Sequence, residues 1–353
     1  MKAIDFFCGG GGMTCGLRQA GIDVVAGVDF DIDAKETYEA NNDGAKFVHA
    51  DITKLPLNYF EKNLDIRRND DDLILVGCSP CQFYSIIRSS KEKSKASKDL
   101  LLQFQKFIEY YNPGYVLVEN VPGIITNKET VLYDFLKFLE DHGYGAANSR
   151  TCKYKVINMK DYGIPQSRRR FSLIANRLGK EVRLPEKEPE EVTVREAIGD
   201  RRVYRRIEAG HRDADAIRFH SAIQLSEINL ERIQHTPHDG GNRLEWKNDR
   251  RLQLKCYRGK DHSFCDVYGR IFWDKPSPTI TTKFLSYSNG RFGHPEDDRG
   301  LSVREGATLQ SFPWNYEFKT ARLEVAAKLI GNAVPPKYAE KLGRLVQEIH
   351  HGQ

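Results

Sequence analysis

No apolar run in this 353-residue chain is long enough to cross a membrane, which excludes a bundle of spanning helices. The opening MKAIDFFCGGGG has no charged region followed by an apolar signal core, so export is not expected. Cysteine is sparse: the chain has seven, without the spacing of a disulfide framework, which predicts reduced thiols in a cytoplasmic setting. There is no internal repeat and no long low-complexity tract. The histidines His211, His220, His235 and His238 are too irregularly placed for a metal site, and no metal is expected. A strong excess of one charge is also missing. The net charge of +5 is compatible with a nucleic-acid partner and does not argue for one.

What is there suits a globular protein. At 40% hydrophobic and 29% charged residues, the chain can bury a core for one large or two unequal domains. The first third alternates strand-like and helix-like segments. Ala3 to Phe7, Asp23 to Val28, Lys46 to Val48, Leu73 to Val76 and Tyr115 to Val118 read as strands. Met13 to Ala20, Ala34 to Asn41 and Leu100 to Tyr111 read as helices. This alternation predicts an α/β fold of βαβ units, with a parallel sheet and helices on both faces. Lys180 to Thr193 reads as a linker, and beyond it the chain is polar, with short strand candidates at Val267 to Trp273 and Thr279 to Thr282. Helical patterns return at Ala321 to Ile330 and Tyr338 to Ile349. The expected domains are 1–185 plus 321–353, and a smaller one at 186–320.

Two strand ends carry reactive residues. The run Leu73 to Val76 stops at Gly77 and leads to Pro80-Cys81-Gln82; the run at Tyr115 stops at Glu119-Asn120-Val121-Pro122-Gly123. Adjacent strand ends would present a thiol and an acid to one pocket, the equipment for adding to an electron-poor ring. Cys78 and Cys81 also form a Cys-x-x-Cys pair, but no second ligand pair stands at a zinc-like spacing. At the first strand end, Gly9 to Gly12 form a nucleotide-binding turn, and Asp29 lies 20 positions on, where an acid can bind ribose hydroxyls. The dinucleotide fingerprint fails, because Thr14 and Cys15 stand where a third glycine would be. A nucleoside cofactor without phosphates, such as S-adenosylmethionine, does not need that glycine. Asp51, after the third strand, is placed to accept from an adenine amino group.

These residues fall into ordered blocks: Asp5-Phe6-Phe7-Cys8-Gly9-Gly10-Gly11-Gly12, Val28-Asp29, Asp51, Pro80-Cys81-Gln82 and Glu119-Asn120-Val121. Then come Gln166-Ser167-Arg168-Arg169-Arg170, Arg304-Glu305 with Leu309-Gln310-Ser311-Phe312-Pro313, and Gly331-Asn332-Ala333-Val334-Pro335-Pro336. In this order they resemble the DNA cytosine-5 methyltransferases, over roughly residues 3 to 340 and most weakly from about 178 to 265. The resemblance implies a Rossmann-like S-adenosylmethionine-dependent methyltransferase fold with a smaller inserted target-recognition domain. It implies Cys81 as nucleophile, Glu119 as the acid at the base, and Arg168 and Arg170 at the base and active-site loop. It places Phe7, Gly9, Gly11, Gly12, Asp29, Phe30, Asp51, Ile52, Pro80 and Asn332 at S-adenosylmethionine. It places Gln82, Ser85, Arg270, Thr279 and Thr281 at double-stranded DNA. Phe83-Tyr84-Ser85 departs from the family, which more often has Phe directly before that serine. The short architecture resembles bacterial or phage restriction-modification enzymes, acting as a monomer with a restriction endonuclease as a separate partner. A transfer-RNA methyltransferase and a non-catalytic DNA-binding relative remain as alternatives.

Overall fold

The computed structural model describes residues 1–79, 91–126 and 131–352. Seven strands form one sheet: β1 (Lys2–Phe6), β2 (Asp23–Asp29), β3 (Lys46–His49), β4 (Leu73–Gly77), β5 (Tyr115–Asn120), β6 (Cys152–Asn158) and β7 (Arg169–Asn176). The order is β3-β2-β1-β4-β5-β7-β6. The first five strands run parallel, whereas β7 pairs antiparallel with both β5 and β6. The five strands expected as a parallel sheet are parallel; the sheet as a whole is mixed because the β6–β7 hairpin, not foreseen, inserts its second strand beside β5. The helices are α1 (Gly12–Gln19), α2 (Lys35–Asn41), α3 (Tyr59–Asn63), α4 (Lys91–Tyr111), α5 (Gly123–Thr126), α6 (Leu132–Asp141), α7 (Val194–Ile198), α8 (Glu227–Gln234), α9 (Val303–Leu309), α10 (Leu323–Asn332) and α11 (Pro336–His351). Among the described residues no helix is long and apolar enough to cross a membrane.

Two compact units result: residues 1–158, 169–187 and 334–353, and residues 159–168 and 188–333. The first contains the sheet. β4 and β5 are buried at every position, as apolar runs demand in interior strands, and at the end of β5 that burial extends to Glu119 and Asn120. Phe6, Phe60, Phe104 and Phe107 form the centre of one core, with ring centroids 4.9–6.1 Å apart. Both chain ends share this unit because α1 packs on α11. A side chain at Gly16 would stand 2.5 Å from Ala339 Cβ and closer still to the Pro336 carbonyl oxygen. Gly16→Ala should therefore cost about 1–3 kcal/mol by overpacking, more than the gain in helix propensity. A urea titration reads this as a lowered midpoint.

The second unit is built differently. Among its described residues there is no sheet strand, only isolated bridges such as Gln166 to Ser277 and Arg270 to Gly293. The segments at Val267 to Trp273 and Thr279 to Thr282, expected as strands, find no partner strand. Without a ladder, main-chain carbonyls need other donors, and buried arginines supply them. Arg270, fully buried, donates to the carbonyls of Ile233, Thr236, His294 and Asp297. Arg304 donates to those of Ile217, Arg218 and Tyr316, and Arg243 to those of Lys260, Ser263 and Phe264. Residues 321–333, expected with the first domain, cluster with this unit. Gln310 Nε2 donates to the Ile330 and Ala333 carbonyls, and Gly331 packs so closely on Thr281 and Thr282 that a side chain would strike their main chain.

An ionic cluster lies at the heart of the second unit. Arg299 reaches Glu305 at 2.7 and 2.8 Å and Asp297 at 2.8 Å. His294 Nδ1 accepts from the backbone N–H groups of Glu296 and Asp297, so that nitrogen carries no proton. Burial accordingly pushes His294 down to about 4, against the pull of Glu305 and Asp297. Because the unfolded histidine titrates near 6.5, the folded state binds fewer protons between these values. Its contribution is complete above pH 6.5 and is lost as pH falls toward 4, about 2 kcal/mol of it between pH 7 and 5. Denaturation across that range should show this slope, and His294→Asn should flatten it.

Candidate active site

The carboxyl ends of β1, β2 and β3 lie side by side, with Phe6 paired to Val28 and Asp29 paired to His49. Phe7 turns the chain there in a left-handed conformation, φ 64°, uncommon for a bulky residue. Its N–H and that of Cys8 both donate to the Val28 carbonyl. Gly9, at φ 50°, has nothing within 4 Å of where a side chain would stand, and its N–H donates to Asp29 Oδ2 at 2.8 Å. Gly11, at φ 84°, is the N-cap of α1, and Gly12 opens that helix. Asp29 Oδ1 accepts from the Asp31 N–H, which fixes the carboxylate beside the glycine turn.

Beyond Asp29, the Phe30 ring is 66% exposed, an apolar plate at the strand end, and the Phe30 carbonyl lies 3.0 Å from His49 Nε2. Asp51 is exposed and accepts at Oδ1 from both the N–H and the hydroxyl of Thr53, which hold its carboxyl below the usual range. Ile52 is buried behind it. An open glycine turn, a fixed acid, an apolar plate and a second ionised acid fit a nucleoside cofactor such as S-adenosylmethionine.

The sequence reading missed the support beneath this turn. Asp5 is fully buried in β1 and accepts from the Thr14 hydroxyl at 2.7 Å, which in turn lies 3.1 Å from the Tyr38 hydroxyl. Burial pushes Asp5 up to about 7, an effect only partly opposed by Thr14. The signal was a carboxylate inside an apolar strand. Thr14, where a dinucleotide fingerprint would need glycine, ties the helix to that strand.

At the neighbouring strand ends, β4 and β5 pair in register, Gly77 with Val118. Asn120 is buried, and its Nδ2 donates to Ser79 Oγ at 3.1 Å and to the Ser79 carbonyl at 3.4 Å. This holds the entry to the Pro80-Cys81-Gln82 segment against the end of β5. Pro80, Cys81, Gln82 and Ser85 themselves lie outside the described residues. Glu119 is 6% exposed, and Arg170, far along the chain but on the neighbouring strand β7, sets its Nε 3.1 Å from the Glu119 carboxylate. Burial pushes the thiols of Cys8, Cys15 and Cys152 upward, to about 12 for Cys15 and about 11 for Cys152, so these three are poor nucleophiles at neutral pH. Among the described residues no cluster of His, Cys, Asp and Glu is arranged for a metal.

The chain matches the family model for C-5 cytosine-specific DNA methylases over residues 1–348. It is 38% identical over 361 residues to the Type II methylase M.HgiDII of Herpetosiphon aurantiacus, covering 99% of this chain and 97% of that one. The chain belongs to the C-5 cytosine-specific DNA methylase family. A second relative, the Type II methyltransferase M1.BsuMI of Bacillus subtilis, is 30% identical over 94% of this chain and 77% of its own length. In fold, the chain is similar to a prophage-encoded E. coli protein titled a DNA modification methyltransferase, with TM-score 0.71 at 20% identity over 99% of each chain. It is also similar to the Entamoeba histolytica methyltransferase EhMeth, with TM-score 0.64 at 16% identity over 99% of this chain and 98% of that one. With the mixed seven-stranded sheet, these likenesses identify the Rossmann-like methyltransferase fold, and the protein is a DNA cytosine-5 methyltransferase.

The remaining residues singled out from this methyltransferase's sequence lie in the second unit. Arg168 is buried and donates to the carbonyls of Ile280, Gly331 and Ala333. Arg270, expected at DNA, is instead enclosed: besides its four carbonyls it pairs with Asp298, and it has no exposed surface to offer a phosphate. Thr279 is half-buried and donates to the Ser167 carbonyl, whereas Thr281 is exposed. Asn332 is the exposed last residue of α10.

Proposed function

We propose that this enzyme transfers a methyl group from S-adenosyl-L-methionine to carbon 5 of cytosine within a specific duplex DNA sequence, as the modification half of a restriction-modification pair. The observation that carries the reading is the in-register pairing of β4 with β5, with Asn120 tying Ser79 to the strand that bears Glu119. In the chemistry proposed, Cys81 adds as thiolate to carbon 6 of the ring, and Glu119, its carboxylate taking up a proton from solvent as the base binds, donates a hydrogen bond at ring nitrogen 3. The electron pair displaced to carbon 5 makes that carbon nucleophilic. The cofactor, when bound, supplies an electrophilic methyl group on a sulfonium. Once carbon 5 is methylated, its proton leaves to a base and the carbon–sulfur bond to Cys81 breaks, restoring the aromatic ring and the thiolate.

Arg170 is placed to orient the Glu119 carboxyl, and a rigid guanidinium suits that task. Arg168, committed to three carbonyls, acts as a positioning residue for the segment that leads into β7. Asp29, Phe30 and Asp51 would hold the nucleoside, with the Gly9 turn admitting it closely. Carbon 5 is shielded within a stacked duplex, so the cytosine has to be flipped out, at a cost of a few kcal/mol.

Bisulfite sequencing of unmethylated plasmid DNA, after incubation with the protein and S-adenosylmethionine, tests this. Protected cytosines within one short recurring motif are expected. Complete conversion everywhere, together with methyl incorporation into transfer RNA, would replace the DNA reading with an RNA one.

A further inference from the structure

The second unit carries an aromatic side chain that its own packing does not explain. Phe264 has a left-handed backbone, φ 55°, which is strained for a bulky residue, yet its ring is 66% exposed. Tyr268, at φ 57° in the same segment, is different: its ring is 6% exposed and packs edge-on against Trp246 and Tyr287. Burial offsets the strain at Tyr268. At Phe264 no comparable burial does.

The loop that bears Phe264 is held from beneath. The buried Arg243 donates to the carbonyls of Lys260, Ser263 and Phe264 and stacks under the Tyr257 ring at 4.7 Å. Tyr257 lies 6.3 Å from the Phe264 ring. Lys247 pins Asp261 at 2.8 Å, and Cys265 Sγ bonds back to the Asp261 carbonyl. Asp261, the one acid between positions 255 and 264, is thereby already paired. Lys255, Arg258 and Lys260 are exposed around it. The result is a rigidly supported aromatic tip set among outward-facing cations.

We propose that residues 255–264 are a DNA-reading element, in which the Phe264 ring enters between bases of the substrate duplex while Lys255, Arg258 and Lys260 contact phosphates. This rests on the DNA reading above and assigns one of the residues that set its sequence preference. An apolar wedge is effective when its backbone does not yield on contact, which is what the Arg243 fork provides. The cations position the element without reading sequence, and the ring senses how readily a base step opens.

The test uses the full chain and a duplex carrying the site found by bisulfite sequencing. Phe264→Ala and Phe264→Gly should each lower kcat/KM on that duplex by about tenfold or more. Because glycine accepts the left-handed backbone, Phe264→Gly should melt no lower than the wild type, which separates loss of DNA contact from loss of fold. With 2-aminopurine placed along the site, one position should brighten on binding the wild type and stay dark with Phe264→Gly. Lys260→Ala should lower the salt dependence of DNA binding by about one phosphate contact. Wild-type kcat/KM and fluorescence in both Phe264 variants would overturn the proposal and leave the DNA reading intact. A wild type that neither binds nor methylates duplex DNA would overturn both.

Discussion

Cys81→Ala should abolish methyl transfer to DNA, by a factor on the order of 10⁴ or more, while S-adenosylmethionine still binds. Removing a covalent nucleophile disables every later step, because carbon 5 of cytosine is not nucleophilic until carbon 6 carries an adduct. Three other thiols of the first unit substitute poorly: burial pushes Cys8, Cys15 and Cys152 upward, away from the reactive thiolate. Two measurements check the prediction together. Tritiated methyl incorporation should vanish, and the covalent complex that the wild type forms with 5-fluorocytosine DNA should be missing. Substantial turnover by the variant would refute the covalent mechanism and leave Glu119 and Arg170 as the chemical centre.

The largest expected effect on stability comes from the second unit. Arg299→Leu removes the one guanidinium that faces Glu305 twice and Asp297 once, all three residues being at most 1% exposed. Burial alone would raise the Glu305 carboxyl, but Arg299 foremost outweighs it and holds the group well below the usual range. Without Arg299 the buried charge is left uncompensated, and breaking such a pair costs about 3–5 kcal/mol. The contrast is Arg195→Leu, which breaks an equally close pair with Asp274 where both side chains are more than half exposed. Solvent screens that pair, and its loss should be small beside that of Arg299. Equal urea midpoints for the two variants would show that the Arg299 cluster does not hold the unit together.

The strand ends from which the proposed chemistry is read were legible because they are local patterns. An apolar run broken by Gly77, or by Glu119-Asn120, marks where a buried strand emerges, and pairing of β4 with β5 places the two ends together. The glycine turn and Asp29 were legible for the same reason, and their hydrogen bond joins residues 20 apart. The β6–β7 hairpin was not. Its second strand, beginning Arg169-Arg170, reads as a basic edge, and nothing in its own composition says that it enters the sheet beside β5. Val267 to Trp273 erred the other way: its β-branched and aromatic residues suit a strand, but a strand needs a partner, and arginine forks took up the carbonyls instead.

By itself, then, the sequence determined the chemistry that this methyltransferase can carry: which residue types stand at which strand ends, and in what order. Only the tertiary structure decided what each charged side chain does. Arg170 and Arg270 are equally cationic on paper, yet one faces Glu119 and the other is enclosed by main-chain carbonyls. The physical reason is that a guanidinium goes where unsatisfied acceptors are, and their positions are set by strand pairings and loop crossings between residues far apart in the chain.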